Sequence, residues 1–494
     1  MKNILRTIAG VILTAIGLLA VFGFDLIRDK AAVLSPDGII DPHSFLQFQI
    51  CLSSLLIIGL FLILFNRAHR WLSSCTAWLV NMSAARFLTV FLTAGFLLRL
   101  AVQIFLPLRF WADCMGYEQL ALDWLKMGGY FDGTVPTAGW PPGYPFFLSW
   151  IYRLFGHQPQ IGVFANILLN LGICYLIYKI IRKVWSEKIA RLTLVIMIFF
   201  PSQILFVNLL LSENLFTFLF ILSLYLFIRA RSISETGLPR SSWFIIFLGG
   251  ICLGLATLTR ALPLVFLPLL IPFWRWQSGY YRTAARNFVI ALAGLAIVVT
   301  PWIIRNHYTV GVTAVSSNGG VNLYLGNNPH AGMGWIPPDS AIFVLNNPAF
   351  EAYNDSIGFA LGKKYILDHP VTFLKRGVMK VAYMYAIDVD AVHYDLIQAA
   401  GENKTNGYVI LAFIAQYYYI GILFMALLGA FLVFLKRSRY FNPGAYLLLA
   451  AIVYWSGVHF VFFGFGRFHF PITPVIAALA GLYIAYKSET VRQK

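Results

Sequence analysis

Five charged residues stand at the ends of long apolar runs: Asp113 in "FWADCMGYEQLALDWL", Glu213 in "LLLSENLFTF", Arg260 in "GLATLTRALPLVF", Arg305 in "TPWIIRNHYTVG" and Arg467 in "FGFGRFHFPITP". Charges within or beside membrane spans are costly and so mark function by default. A carboxylate can take a proton from a hydroxyl or ligate a metal. An arginine suits phosphate because its planar fork donates two parallel hydrogen bonds. Two acids and three arginines in one cleft would therefore handle a phosphate-bearing substrate beside a base. Each residue also has a plainer reading. Asp113 fits the N-cap of an amphipathic helix over 114–126, on which Tyr117, Leu120, Ala121 and Trp124 share a face. Glu213 fits the first turn of a helix, and the arginines fit snorkelling anchors. Arg99 falls mid-span, calls for a buried partner or snorkels, and stays outside the site.

The elements that must position these residues are membrane helices. The chain has 494 residues, is 59% hydrophobic and 12% charged, and its mean hydropathy is +0.74. Soluble domains carry about twice that charged fraction. Runs of about 20 apolar residues match a hydrocarbon core roughly 30 Å thick. Twelve spans are expected, at 5–24, 47–65, 88–108, 161–181, 189–207, 212–229, 243–259, 262–276, 287–304, 407–435, 444–463 and 468–486. The segment 262–276 is short and holds Pro263, Pro268 and Pro272, and 144–155 is too short to span and reads as interfacial. The first 24 residues resemble a signal peptide, but the apolar run is long and no small-x-small site follows, so a retained helix is expected. Cys51, Cys75, Cys114, Cys174 and Cys252 form no paired framework.

The net charge of +17 invites a nucleic-acid partner, and its distribution argues against one. With the N-terminus in the cytoplasm and the spans alternating, the cytoplasmic side holds most of the 37 Lys and Arg and only Glu187, Glu235 and Glu489 of the 20 acids. That asymmetry is the positive-inside pattern. Both termini are then cytoplasmic, and Asp113, Glu213, Arg260, Arg305 and Arg467 all fall on the other face. Four segments follow: 1–87, a helical hairpin and cytoplasmic loop; 88–304, a membrane core with a first outer loop at 109–160; 305–406, a large outer loop; and 407–494, the last helices. The two outer loops are expected to form a cap, since loops this long are functional or disordered and 305–406 is too aromatic for disorder.

Five ordered signatures, "DCMGYEQLA", "WPPGYP", "SENLFTF", "TPWIIRN" with "GVNLYLGNNP", and "GRFHFPITP", make the chain resemble the GT-C membrane glycosyltransferases. The branch is that of the protein O-mannosyltransferases and the aminoarabinose transferase of lipid A, glycosyltransferase family 39-like. The likeness runs from about residue 88 to the C-terminus. It implies an all-α polytopic bundle and transfer of a hexosyl or pentosyl group from a polyprenyl-phosphate donor. The acceptor would be a hydroxyl or phosphate of a glycolipid, polysaccharide or protein outside the cytoplasm of a bacterial cell. It further implies Asp113 as general base, Glu213 as its assistant or a metal ligand, and Arg260, Arg305 and Arg467 on the donor phosphate. Tyr117 is counted with the substrate-binding residues. No cofactor is certain and a divalent metal stays open, because Asp113–Cys114 stands where many relatives carry two adjacent acids.

A second run, "DVDAVHYD", holds Asp388, Asp390, His393 and Asp395. Such a run could hold a divalent cation and more often is a solvated loop, which is the expectation here. The main rival function is a transporter or flippase of lipid-linked sugars. Transporters commonly show internal repeats and sites near the bilayer midplane, and neither feature is evident.

Overall fold

The computed structural model describes residues 76–492 apart from 107, 109, 111–112, 236–238, 346 and 398–405, together with 10–18, 55, 59 and 74 before them. The chain is an all-α, multi-pass membrane protein. Among the described residues, eight helices are long and apolar enough to cross a membrane, or nine if a pair bent by 60° makes one span. The expected spans at 5–24 and 47–65 lie outside the described residues except at 10–18, 55 and 59.

The spanning helices are α1 (Ala84–Phe105), α4 (Pro159–Val184), α7 (Glu213–Glu235), α8 (Pro239–Thr259), α10 (Tyr281–Val310), α14 (Asn406–Leu435), α15 (Pro443–Val461) and α16 (Thr473–Arg492). The bent pair is α5 (Glu187–Ile198) and α6 (Pro201–Leu205), continued by a 3-10 turn, Phe206–Asn208. Between them lie α2 (Asp113–Met127), α3 (Gly143–Phe155), α9 (Leu270–Ser278), α11 (Gly319–Gly326), α12 (Glu351–Asp368) and α13 (Pro370–Ala386). A two-residue hairpin, β1 (Phe131–Asp132) with β2 (Val135–Pro136), is antiparallel.

Local chemistry sets the boundaries. Ser83 caps α1 by accepting from Arg86 N, Ser186 caps α5, and Asn442 caps α15 ahead of Pro443. These are the residues and positions that satisfy orphan N–H groups at helix starts. The expected span 262–276 is instead a 3-10 helix, Leu262–Leu269, running into α9. Proline lacks an N–H and clashes with the preceding turn, so Pro263 and Pro268 keep this stretch from becoming one regular span.

Pro201 breaks the α5–α6 pair for the same reason, leaving the Met197 carbonyl without its i+4 donor. Arg99 supplies replacements: it is fully buried and donates to Met197 O (3.4 Å), Ile198 O (3.3 Å), Gly95 O (3.1 Å) and Asn170 Oδ1 (2.9 Å). The expected buried partner is thus Asn170 together with a helix end. Elsewhere glycines set close backbone approach, as at Gly250 against Ala291 and Gly294 against Phe247, where α8 meets α10. Small residues serve this purpose where lipid provides no hydrophobic drive.

The two long loops interlock at one end of the bundle. Glu351, opening α12, accepts from the Thr137 hydroxyl, Ala138 N (2.8 Å) and Ser317 Oγ (2.8 Å).

Candidate active site

Four of the five charges at the span ends meet at the loop end of the bundle. Glu213 opens α7, behind Ser212, whose carbonyl accepts from Phe216 N. Arg260 follows α8 directly, its N–H still bonded to Ala256 O. Arg467 lies in a 3-10 turn, Gly466–Ile472, that feeds α16. Asp113 is the first residue of α2, inside its first turn rather than at the expected cap.

The side chains form one chain of contacts. Asp113 Oδ2 accepts from Arg467 Nη2 at 2.5 Å, and Arg467 Nε stands 4.0 Å from Glu213 Oε1. Arg260 Nη2 donates to that same Glu213 oxygen at 2.6 Å, and Arg260 Nε donates to Ser212 Oγ at 3.1 Å. Tyr117, from α2, donates to Ser212 Oγ at 3.1 Å. Two carboxylates therefore face two guanidiniums. Glu213 is 1% exposed, Arg260 16% and Arg467 17%, whereas the Asp113 side chain is 38% exposed. Aromatic rings enclose the arginines: Tyr394, Phe465 and Phe468 lie about Arg467, and Phe468 also about Arg260. Among the described residues, Glu213 Oε2 and Arg467 Nε are buried without a hydrogen-bond partner. Burial pushes the Tyr117 phenol up to about 12, and burial followed by the adjacent Asp113 pushes the Cys114 thiol up. Both stay protonated at neutral pH.

The run 388–395 is not the solvated loop expected from sequence. Asp388, Asp390 and Asp395 are each under 5% exposed, because Asp388 and Asp390 hold the Arg467 turn and Asp395 accepts from Asn208 Nδ2 at 3.2 Å instead of facing water. Asp390 Oδ2 accepts from Arg467 N at 2.5 Å, and Asp388 Oδ1 lies 3.1 Å from His469 Nε2. Gly464 passes against Lys380 O and Gly466 against Asp390 and Ile387 O, so tightly that a Cβ would clash at either. Burial raises Asp390 to about 6, opposed by its bond from the Arg467 main chain, and raises Asp395 to about 8. Sequence reasoning missed Asp390 and Ser212 as members of the site; Ser212 carries no signal beyond standing before a helix.

Arg305 is not brought to this group. It donates to the Thr137 carbonyl (2.5 Å), the Tyr130 carbonyl (2.7 Å) and Asn306 Oδ1 (3.0 Å), and packs against Trp302. It clamps the first outer loop. The donor set does not suit a resident metal: each carboxylate of the cleft has an arginine partner, and no three His, Cys, Asp or Glu side chains come together among the described residues.

Residues 140–304 match the family model described as dolichyl-phosphate-mannose-protein mannosyltransferase. Among curated proteins, none matches the chain. The Archaeoglobus fulgidus oligosaccharyltransferase tethered to an acceptor peptide containing the NVT sequon is similar, at 12% identity and TM-score 0.50, over 83% of this chain and 50% of that one. The archaeal oligosaccharyltransferase AglB from the same organism, in complex with an inhibitory peptide and a dolichol-phosphate, is 12% identical at TM-score 0.51, over 82% and 51%. ArnT from Cupriavidus metallidurans bound to undecaprenyl phosphate is 12% identical at TM-score 0.42, over 82% and 77%. The chain thus spans about half the length of the oligosaccharyltransferase chains that it matches.

Proposed function

We propose that this chain, whose fold is that of the GT-C membrane glycosyltransferases, moves a sugar from a polyprenyl-phosphate carrier to an acceptor hydroxyl on the non-cytoplasmic face. The observation that carries this reading is the pairing of a partly exposed carboxylate, Asp113, with Nη2 of an arginine, Arg467, whose neighbouring Nε is buried and has no hydrogen-bond partner among the described residues. That arrangement suits an exchange. The donor phosphate takes Nη2 and Nε of Arg467 as a bidentate pair, and Asp113 is released as the phosphate arrives.

Asp113 then removes the proton of the acceptor hydroxyl. The acceptor oxygen bonds to the anomeric carbon as the bond from that carbon to the phosphate oxygen breaks. The electron pair leaves on the polyprenyl phosphate, and attack from the opposite face inverts the centre. A carboxylate is a weak base towards an alcohol, so alignment and stabilisation of the leaving phosphate by Arg467 and Arg260 carry much of the rate. Glu213 holds both guanidiniums in place. Tyr117 borders the acceptor side, and Arg305 serves by fixing the first outer loop. The acceptor is a glycolipid, polysaccharide or protein. A flippase of lipid-linked sugars would be expected to gather its charges nearer the midplane, not at the helix ends.

The test is native mass spectrometry of the purified protein for co-purifying lipid, followed by addition of polyprenyl-phosphate sugar. A bound polyprenyl phosphate or its sugar adduct supports the donor class, and the adduct mass identifies the sugar class. Bulk phospholipid alone, even after that addition, overturns the donor class, whereas bound donor that is never consumed when acceptor is supplied favours a flippase.

A further inference from the structure

Helix α13 turns its apolar side outward and its charges inward. Val371, Leu374, Val378 and Met379 are 64%, 56%, 63% and 50% exposed, and Leu367, at the turn before it, is 67% exposed. The spacing of Val371, Leu374, Val378 and Met379 places these four on one face of α13, and Leu367 lies near the end of α12. The opposite side holds Gly377, Lys380 and Met384, all buried. Lys380 donates to Asn327 Oδ1 and Val461 O at 3.3 Å each, and Arg376 donates to Asn328 O (2.7 Å) and Pro329 O (3.2 Å). A helix covering a water-soluble cap would show the reverse pattern. An exposed contiguous apolar face marks a binding surface.

What covers that face follows from where α13 sits. Phe373 meets Phe460 edge to face, Gly377 abuts the same ring, Lys380 reaches Val461 O, and the Tyr385 hydroxyl lies 2.9 Å from Ser456 Oγ. All of these partners are in the last turns of α15, a spanning helix with its own outward apolar surface at Val453. The apolar face of α13 is continuous with a lipid-facing one. No acid occurs in "PVTFLKRGVMKVAYMYA", and the one charge on the outward face is Lys375, a partner for lipid phosphate. At 17 residues with three basic side chains, α13 does not cross the bilayer.

The geometry points to α13 as an interfacial helix that lays Val371, Leu374 and Val378 into the lipid on the site's side of the membrane. Through Arg376 and Lys380 it holds the Asn327–Pro329 turn at membrane level. This does not depend on the transfer reaction.

Full-length protein in nanodiscs of phosphatidylethanolamine and phosphatidylglycerol tests it. A fluorophore on Leu374→Cys, read against the identically treated unsubstituted protein, is quenched by acyl-chain doxyl lipid and by aqueous iodide in parallel. Lys364→Cys, on α12, is the water-facing control, its side chain being 71% exposed. Doxyl quenching at Leu374 at least about threefold stronger than at Lys364, with weaker iodide quenching, is the result expected of a helix in the interface. Iodide quenching equal to the control overturns it, as does protection from both quenchers, which would mean protein cover. Val371→Cys provides the same readout should Leu374→Cys fail to fold.

Discussion

Asp113 and Arg467 stand 354 positions apart in the chain and 2.5 Å apart in space. One opens the first long loop and the other precedes the last span, so the contact closes the bundle on itself. The carboxylate remains more than a third exposed while the guanidinium is ringed by aromatics. That asymmetry leaves the carboxylate partly open and holds the guanidinium in place.

Asp113→Asn keeps an acceptor for Arg467 and removes the base. Turnover of polyprenyl-phosphate sugar should fall by about 100- to 10,000-fold, the usual contribution of a general base. Because asparagine still accepts from Arg467 at a position that is 38% exposed, the thermal midpoint should move far less than turnover does. Unchanged turnover would remove Asp113 from the chemistry.

For Arg467→Ala the expected loss is in donor binding. Affinity for polyprenyl phosphate, measured by titration in detergent, should weaken by about tenfold or more, or 1.4 kcal/mol per decade. Equal affinity in the variant and the parent takes this arginine out of the phosphate site.

Asp390→Ala and Asp390→Asn separate two ways in which Asp390 could serve Arg467. The structure gives it one acceptor contact, to the Arg467 main-chain N–H, and a buried N–H left unpaired costs about 1–3 kcal/mol. Alanine should therefore weaken polyprenyl-phosphate binding, and asparagine, which still accepts, should restore it. If asparagine behaves as alanine does, the charge matters and not the hydrogen bond.

Breaking the Glu213–Arg260 pair should destabilise the fold. Arg260→Ala strands a carboxylate that is 1% exposed, and removal of one partner from a buried pair costs about 3–5 kcal/mol. Adding Glu213→Gln to it should recover part of that loss. A double variant whose unfolding midpoint equals the sum of the two single losses would show the two residues to be uncoupled.

Asp395 makes stability depend on pH. Burial raises its carboxyl to about 8, and among the described residues neither Oδ1 of its partner Asn208 nor its own Oδ2 has a hydrogen-bond partner. A proton on Asp395 can bridge them. The folded state keeps that proton up to about pH 8 and the unfolded chain loses it near pH 4, so stability should fall as pH rises through that window. Asp395→Asn supplies the amide permanently and should flatten the thermal midpoint between about pH 5 and 8. An equal slope in both proteins would assign the dependence elsewhere.

Much of the architecture was legible because long apolar runs have few alternatives in a membrane, and the chain's alternation put Asp113, Glu213, Arg260 and Arg467 at one level before any contact was visible. Glu213 and Arg260 belong to neighbouring spans, so their meeting was within reach of sequence. Arg305 shares their level, yet its side chain turns to the carbonyls of residues 130 and 137, a direction that the position of a helix end does not determine. Asp390 was misread for a different reason. Three acids in eight residues look like a hydrated loop, and its partner is a main-chain N–H, 77 positions away, which leaves no mark in side-chain chemistry. The prolines of 262–276 were visible, but their effect, a 3-10 turn in place of a span, depended on the neighbouring helices.

The placement of Arg467 also sets an order of assembly during synthesis. Glu213 and Arg260 can pair as soon as their two helices have inserted, while the segment carrying Asp390 and then Arg467 is still unmade. At about 5–20 residues per second, the ribosome needs roughly 20–70 s to travel from Asp113 to its partner. For that interval the acid waits at the membrane surface without its cation. The turn that leads into the last helix is the segment that completes the cleft, and a chain that stops short of it has Asp113 without its arginine.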